Sequence, residues 1–199
     1  MKHILILFLL FTTLRTYAQT PDSIWLKQLR TLRDAIYQRD KETVKQFFDF
    51  PFSVSNVWYL AQENNDANDS LTQKAINQLA SNATPLTEKL FMLYFDQIFH
   101  KKFVTVFLKI KTKEVFEKKF VESPEYQGSN KWYYKCTISF RRAEQRMWIS
   151  YESNNIANGE EPKYDKDGEL LETPLGGSES LEFKMIDGQM KLVSISNAG

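Results

Sequence analysis

The chain has 199 residues, a length typical of one domain with a sizeable core, and its 26 basic and 25 acidic residues give a net charge of +1. This balance excludes a general electrostatic attraction to nucleic acid or to an anionic membrane. Hydrophobic residues make up 42% of the chain and aromatic residues 14%, so the sequence is not that of a globally disordered protein.

The N-terminus has the three parts of a secretory signal peptide in order: a short basic start at 2–3, an apolar run at 4–11 and the cleavage triplet Thr-Tyr-Ala at 16–18. The apolar run is shorter than the roughly 20 residues that a membrane-spanning helix needs. No later segment reaches spanning length without charges. We therefore expect residues 1–18 to be removed, and residues 19–199 to form a single exported domain, soluble in the periplasm or the extracellular space.

Cysteine and histidine are scarce. Cys136 is the only cysteine, so an intramolecular disulfide cannot form, and its alternation with apolar neighbours predicts a small buried side chain. After signal cleavage, His100 is the only histidine. Because a zinc site built from these two residue types needs three or four ligands, we expect no metal site and no cofactor. A nucleophilic triad or dyad would have to include His100, and no motif supports one, so no catalytic residue is predicted.

Glycine placement divides the chain. All seven glycines lie at or after Gly128. A glycine-free stretch suits packed helices, whereas strands joined by tight turns need the positive φ angles that glycine adopts easily. The fold class that follows is α+β, with N-terminal helices and C-terminal strands.

Apolar periodicity predicts the helices of the first half. From Ser23 a helix places one apolar face toward the core, formed by Ile24, Trp25, Leu29, Leu32, Ile36 and Tyr37. Asp40 is predicted to break the chain or cap a short second helix, which carries Val44, Phe47 and Phe48. Pro51 ends that segment.

Further along, a polar loop over 62–70 leads to a capping box formed by Ser70 and Gln73, with a helix through Leu79. Thr87 is predicted to cap the next helix, whose apolar residues are Leu90, Phe91, Tyr94, Phe95 and Ile98. The segment with Phe103, Phe107 and Ile110 fits either another helix or a strand.

Beyond Gly128 the apolar period becomes two. One strand face is predicted to carry Trp132, Tyr134, Cys136, Ile138 and Phe140. A hairpin tip over 141–145 leads to a strand with Met147, Ile149 and Tyr151, and an acidic loop follows over about 153–178. Two last strands, 181–186 and 190–195, flank the turn Asp187-Gly188-Gln189.

This order of elements resembles the nuclear-transport-factor-2-like superfamily, a cone-shaped α+β fold. The resemblance rests on the helical texture of Asp-Ala-Ile-Tyr-Gln-Arg-Asp-Lys-Glu-Thr-Val-Lys-Gln-Phe-Phe (34–48) and on the final strands around Phe-Lys-Met-Ile-Asp-Gly-Gln-Met-Lys-Leu (183–192). It implies helices packed on a curved antiparallel sheet, with a pocket between them. The superfamily contains isomerases, dehydratases and non-catalytic binding or assembly domains, so the resemblance does not select a function.

Aromatic residues crowd the two neighbouring strands, and Trp132, Tyr134, Trp148 and Tyr151 are the candidate ligand-binding or interface residues; ordinary core packing is the alternative. Asp96, in an apolar helix, has two interpretations. It is either a buried carboxylate with a raised pKa, or an acid on the exposed stripe that pairs with His100.

Two charged motifs have weaker interpretations. Residues 163–169 resemble a calcium loop, but Lys163 and Pro174 occupy the first and last ligand positions, where acids are required. Arg141, Arg142 and Arg146 near the hairpin tip form either a grip for phosphate or carboxylate, or an ordinary solvated turn.

The functional hypothesis is an exported, non-enzymatic binding domain. Its partner is a small apolar or amphipathic ligand or another exported protein, and a homodimer is compatible with the same surfaces. No nucleic-acid partner and no membrane span are expected. The alternatives are a small isomerase, dehydratase or hydrolase of the same fold, and an envelope assembly or inhibitor protein.

Overall fold

The computed structural model describes residues 21–53, 57–62, 70–129, 131–157, 160–161, 163, 165–166 and 175–198. Three predicted segments lie wholly or partly outside the described residues: the signal peptide, nearly all of the polar loop and much of the acidic loop. Of the two end positions of the resemblance to a calcium loop, Lys163 is described and Pro174 is not. Within them, the helices are α1 (Pro21–Gln38), α2 (Lys41–Lys45), α3 (Val57–Gln62), α4 (Ser70–Ser81), α5 (Glu88–Ile98), α6 (Lys101–Phe107) and α7 (Thr112–Lys118).

The strands follow the helices and pair in an antiparallel sheet. They are β1 (Phe120–Glu122), β2 (Tyr126–Gln127), β3 (Tyr133–Arg141), β4 (Arg146–Asn154), β5 (Gly176–Ile186) and β6 (Gln189–Ala198). Their order across the sheet is β1-β3-β4-β5-β6, and β2 also pairs with β3. The predicted α+β class, with helices first and strands second, is confirmed.

The apolar face of α1 is confirmed except at its end. Trp25, Leu29 and Ile36 are almost completely buried, whereas Tyr37 is 62% exposed. Each residue advances about 100° around a helix, so Ile36 stays nearly in line with Trp25 while Tyr37 turns away from the core. The prediction that Tyr37 faces inward is therefore wrong.

Side chains cap three of the helices at their first turn. Asp40 accepts hydrogen bonds from the Thr43 hydroxyl at 2.6 Å and from the Thr43 amide at 3.0 Å, and both lower the pKa of its carboxyl group. Thr87 accepts one from the Leu90 amide at 3.2 Å. The caps predicted at Asp40 and Thr87 are confirmed, while the capping box of Ser70 and Gln73 stays a prediction. The third cap is His100, which begins α6, so the segment that fitted either a helix or a strand is helical over 101–107.

The core lies between the helices and one face of the sheet, which we call the inner face. Strand alternation is confirmed, because the inner face carries nearly all the buried strand residues. They include Tyr134, Cys136, Ile138 and Phe140 on β3, Met147, Ile149 and Tyr151 on β4, Leu181 and Phe183 on β5, and Met190, Leu192 and Ile195 on β6.

Tight turns set the register of the two hairpins. The predicted tip between β3 and β4 is confirmed: 142–144 form a single 3-10 turn, and Gln145 follows with φ 51°. Asp187 and Gly188 join β5 and β6 with φ 49° and 76°. Two successive positive φ angles are the signature of a two-residue hairpin turn, as the Asp-Gly pair predicts.

Among the described residues, no helix has both the length and the apolar character that crossing a membrane requires.

Candidate functional site

The structure separates the five predicted site residues. Tyr134 and Tyr151 lie side by side on the inner face, each 3% exposed. Trp132 precedes β3 and packs against the edge of the core, and Trp148 lies on the opposite, outer face of the sheet. Asp96 lies on α5, with 59% of its side chain exposed. Only the two tyrosines belong to one site.

Asp96 occupies the exposed stripe of its helix. Its carboxylate lies 3.5 Å from the Arg39 guanidinium and 3.8 Å from the Lys41 ammonium. The interpretation as an exposed acid is confirmed, but the expected pairing with His100 is wrong. His100 is instead buried in the core, where its ring nitrogen accepts a hydrogen bond from a backbone amide at the start of the following helix.

The two tyrosines belong to a group of polar residues at one end of the inner face. We call this group the polar corner; it consists of His100, Tyr134, Tyr151, Ser153 and Glu179. All five are buried. The phenol rings of Tyr134 and Tyr151 stack with centroids 5.8 Å apart, and the His100 ring meets Tyr151 edge to face at 5.0 Å.

His100 is held as a neutral imidazole. Its Nδ1 accepts a hydrogen bond from the Phe103 amide at 3.2 Å, so the neutral ring carries its proton on Nε2. Burial lowers the pKa of the ring to about 3, and the nearby charges of Lys102 and Arg39 act in the same direction. In this corner His100 is therefore a hydrogen-bond donor rather than a cation.

Glu179 brings a carboxylate to the inner face. It is 4% exposed and is the register partner of Tyr151 on the neighbouring strand. Residues paired in this way have Cβ atoms about 5 Å apart, so the carboxylate and the phenol share one part of the core. Sequence reasoning missed Glu179 because the acidic loop was predicted to end at about 178 and the strand to begin at 181, whereas the strand begins at Gly176. Extending the period-two pattern of β5 backward from Phe183 and Leu181 places Glu179 on the same face.

The corner also receives a positive charge and contains small residues. The Lys102 ammonium lies over the Tyr134 ring, 5.0 Å from its centroid. At the next level of the sheet, Ser153 is paired with Gly177. The polar corner therefore brings hydroxyl, carboxylate and imidazole groups together in one buried part of the molecule.

Cys136 contributes packing rather than chemistry. It is fully buried, and burial raises the pKa of its thiol above the ordinary range, which disfavours the reactive thiolate. The prediction of a structural cysteine is confirmed. The described residues contain no group of three or more His, Cys, Asp or Glu side chains able to hold a metal ion.

A surface cleft lies at the same end of the sheet as the polar corner. It is a cleft of about 270 Å³ lined by Gln127, Lys131, Tyr133, Asn155, Ile156, Glu160, Glu161 and Lys163. The Gln127 amide donates a hydrogen bond to the Tyr133 hydroxyl at 3.0 Å. Its lining charges balance, so the cleft favours neither anions nor cations.

Comparison of the chain with protein-family models, with curated proteins and with solved structures found no match.

Proposed function

We propose that this protein is an exported, non-enzymatic binding domain of the nuclear-transport-factor-2-like type, and that it holds a small amphipathic ligand at the polar corner. The arrangement of helices on one face of an antiparallel sheet supports this class. We place the ligand at the polar corner because polar groups replace apolar ones in this part of the inner face.

The observation that carries the proposal is the burial of the Glu179 carboxylate beside Tyr151. Moving a carboxylate into a protein interior is costly even when it is paired, and apolar residues of similar volume often serve stability better. Convergent polar groups within an apolar enclosure are the usual composition of a small-molecule site. A role in ligand recognition therefore accounts for Glu179 better than a contribution to the stability of the fold.

The chemistry of the corner defines the ligand. A carboxylate acceptor selects a cationic or hydrogen-bond-donating group. The stacked rings of Tyr134 and Tyr151 suit an apolar or aromatic body. A compact amine with an aromatic or alkyl body meets both requirements.

The test uses thermal unfolding of the purified chain with a panel of aromatic and alkyl amines and their matched carboxylic acids. A ligand that binds only the folded state adds about 2.7 kcal/mol of stability at a hundredfold excess over its Kd. We expect amines to raise Tm in the wild type and in Glu182→Gln, but not in Glu179→Gln. Glu182 is the matched control because it lies on the same strand and points to the outer face.

Two results would contradict the proposal. One is that no compound raises Tm while native mass spectrometry shows neither a dimer nor a bound partner. The other is that Glu179→Gln and Glu182→Gln respond to the amines equally.

A second candidate function, a small isomerase, dehydratase or hydrolase, is favoured by the same corner. A carboxylate, a phenol and a neutral imidazole are the groups that general acid–base catalysis uses, with Glu179 in place of the exposed Asp96 as base. Incubating the stabilising compounds with the protein and following them by NMR separates the two functions. Product formation that is lost in Glu179→Gln indicates an enzyme, and an unchanged compound indicates binding alone.

A further inference from the structure

Four basic residues form a row straight across the outer face of the sheet. Arg141 on β3 is paired with Arg146 on β4, Arg146 with Lys184 on β5, and Lys184 with Lys191 on β6. We call these four residues the basic row. Neighbouring strands lie about 4.8 Å apart, so the row extends over about 14 Å.

The row is an unfavourable arrangement for the sheet itself, because like charges directly opposite each other destabilise strand pairing. Nearby acids offset only part of this repulsion. Arg141 pairs with Glu144 at 3.3 Å and Arg146 with Glu182 at 2.9 Å, and both basic side chains are substantially exposed.

At the far end of the row, Lys191 pairs with Asp49 at 2.9 Å; 16% of the Lys191 side chain and 66% of the Asp49 side chain are exposed. Lys184, between Arg146 and Lys191, has no ion pair with any residue that the structure describes. The Arg141–Glu144 ion pair is exposed and contributes little to stability, so a multivalent anion can replace Glu144 at small cost. The basic row therefore favours a ligand that brings several negative charges in a line.

The surface beside the row indicates the chemistry of the uncharged part of such a ligand. In the next level of the sheet, Trp148 lies under the Arg141 guanidinium, 5.1 Å from its ring centroid. Beside it on β5 lies the Glu182 carboxylate, which is paired with Arg146. Around these two residues the outer face carries short hydroxyl side chains, namely Ser139, Ser150, Ser180 and Ser194. We call Trp148 and these four residues the serine shelf. It offers one aromatic ring and many neutral hydrogen-bonding groups.

We propose that the outer face binds an acidic polysaccharide, whose carboxylate or sulfate groups contact the basic row and whose hydroxyl-rich rings lie on the serine shelf. A polymer of sugar rings supplies both a line of anionic groups and numerous hydroxyls. A bilayer surface fits less well, because the row is one residue deep and the chain is close to neutral. Single-stranded nucleic acid requires a run of aromatic residues for successive bases, whereas this row of the outer face offers Trp148 and, two strands away on β1, the exposed Phe120.

The experiment measures binding of polygalacturonate to the full chain by calorimetry, with fully methyl-esterified polygalacturonate as the uncharged probe. The matched variants are Lys184→Gln in the basic row and Lys135→Gln on the same face. Lys135 lies six residues from Arg141 along β3, about 20 Å away. Its substitution removes the same charge as Lys184→Gln. Circular dichroism establishes that each variant is folded.

We expect binding of the acidic polymer only. Affinity should fall about tenfold in Lys184→Gln, which corresponds to one charge-assisted contact, and stay within about twofold in Lys135→Gln. Adding Arg146→Gln to Lys184→Gln should weaken binding further, and raising the salt concentration should weaken the wild type more than the double variant.

Other outcomes would overturn the proposal: equal binding of the methyl-esterified polymer, equal losses in Lys184→Gln and Lys135→Gln, or no binding of polygalacturonate. Binding of phosphatidylglycerol vesicles or of oligo-dT in its place would identify a different class of partner and equally exclude the polysaccharide. Because the polar corner lies on the other face, neither result affects the amine test above.

Discussion

The inner and outer faces of the sheet belong to the same strands, but their side chains differ in size, polarity and burial. Along β5, Leu181 and Phe183 are buried under the helices, while Ser180, Glu182 and Lys184 between them point outward. The inner face is filled by large apolar side chains in contact with α1 and α6. The outer face carries charges and hydroxyls. This contrast indicates that the inner residues hold the fold together and that the outer ones are available for recognition.

The polar corner is the exception on the inner face, and it lies far from the basic row. On β4, Tyr151 and Ser153 belong to the corner, whereas Arg146 belongs to the row. Five to seven residues of extended chain separate them by about 17–24 Å. Substitutions at this separation usually have additive effects, so the two sites can be tested independently in the same protein.

The largest expected effect comes from truncating an aromatic residue on each face. Phe183 is 2% exposed in the middle of the sheet, and Phe183→Ala should lower the free energy of unfolding by about 3–5 kcal/mol, because it leaves a cavity. Trp148→Ala removes a larger ring from the outer face, where solvent fills the space, and should cost no more than about 1.5 kcal/mol. Urea unfolding measures both values. Equal losses would contradict the division of roles between the faces.

The second prediction concerns the pH dependence that His100 confers on the inner face. The unfolded ring has a pKa near 6.5 and the folded ring one of about 3, so acid adds a proton to the unfolded chain first. Stability is then present above pH 6.5 and is lost as the pH falls toward 3. Between pH 6 and pH 4 this group should cost about 2–3 kcal/mol.

His100→Asn is the variant that isolates this contribution, since asparagine also caps a helix but takes up no proton. We expect its unfolding free energy to fall less between pH 6 and pH 4 than that of the wild type. The readout is the difference between the two pH profiles, whatever the loss of packing at pH 7. Parallel profiles would show that His100 titrates normally in the folded protein.

Local signals in the sequence predicted much of the fold. The Asp40 and Thr87 caps, the alternation along β3 and the Asp-Gly turn each depend on residues within a few positions of one another. The Tyr37 error is also local, since it follows from one residue of helical rotation. The signal peptide at 1–18 remains a prediction.

The candidate sites depend on contacts that no local pattern contains. The Asp-Gly turn fixes the pairing of Lys184 with Lys191, but pairing with Arg146 depends on how β5 returns beside β4 after an acidic loop of about 20 residues. Glu179 meets Tyr151 through the same long-range register. The sequence therefore showed the charged and aromatic residues individually, and only the strand register placed them together.

The third prediction tests whether the outer ion pairs hold the sheet together. A double-mutant cycle with Arg146→Gln and Glu182→Gln should give a coupling energy of about 0.2–1 kcal/mol, the range for partly exposed pairs. The measurement is urea unfolding of the wild type, both single variants and the double variant. A coupling above about 2 kcal/mol would assign this pair a structural role comparable to an inner-face contact.

The smallest effect has the opposite sign. Lys184 faces Arg146 and Lys191 across the strands and has no ion pair with a described residue, so Lys184→Gln removes two repulsive interactions without breaking such a pair. We expect the free energy of unfolding to rise by a few tenths of a kcal/mol, and this gain to shrink as salt screens the charges.

Lys135→Gln should lower stability slightly, because Lys135 lies between Glu122 and Glu152 at 3.6 and 3.4 Å. If both variants are destabilised alike, the basic row contributes to the stability of the sheet. If Lys184→Gln is more stable yet binds the acidic polymer more weakly, Lys184 lowers the stability of the fold and serves recognition.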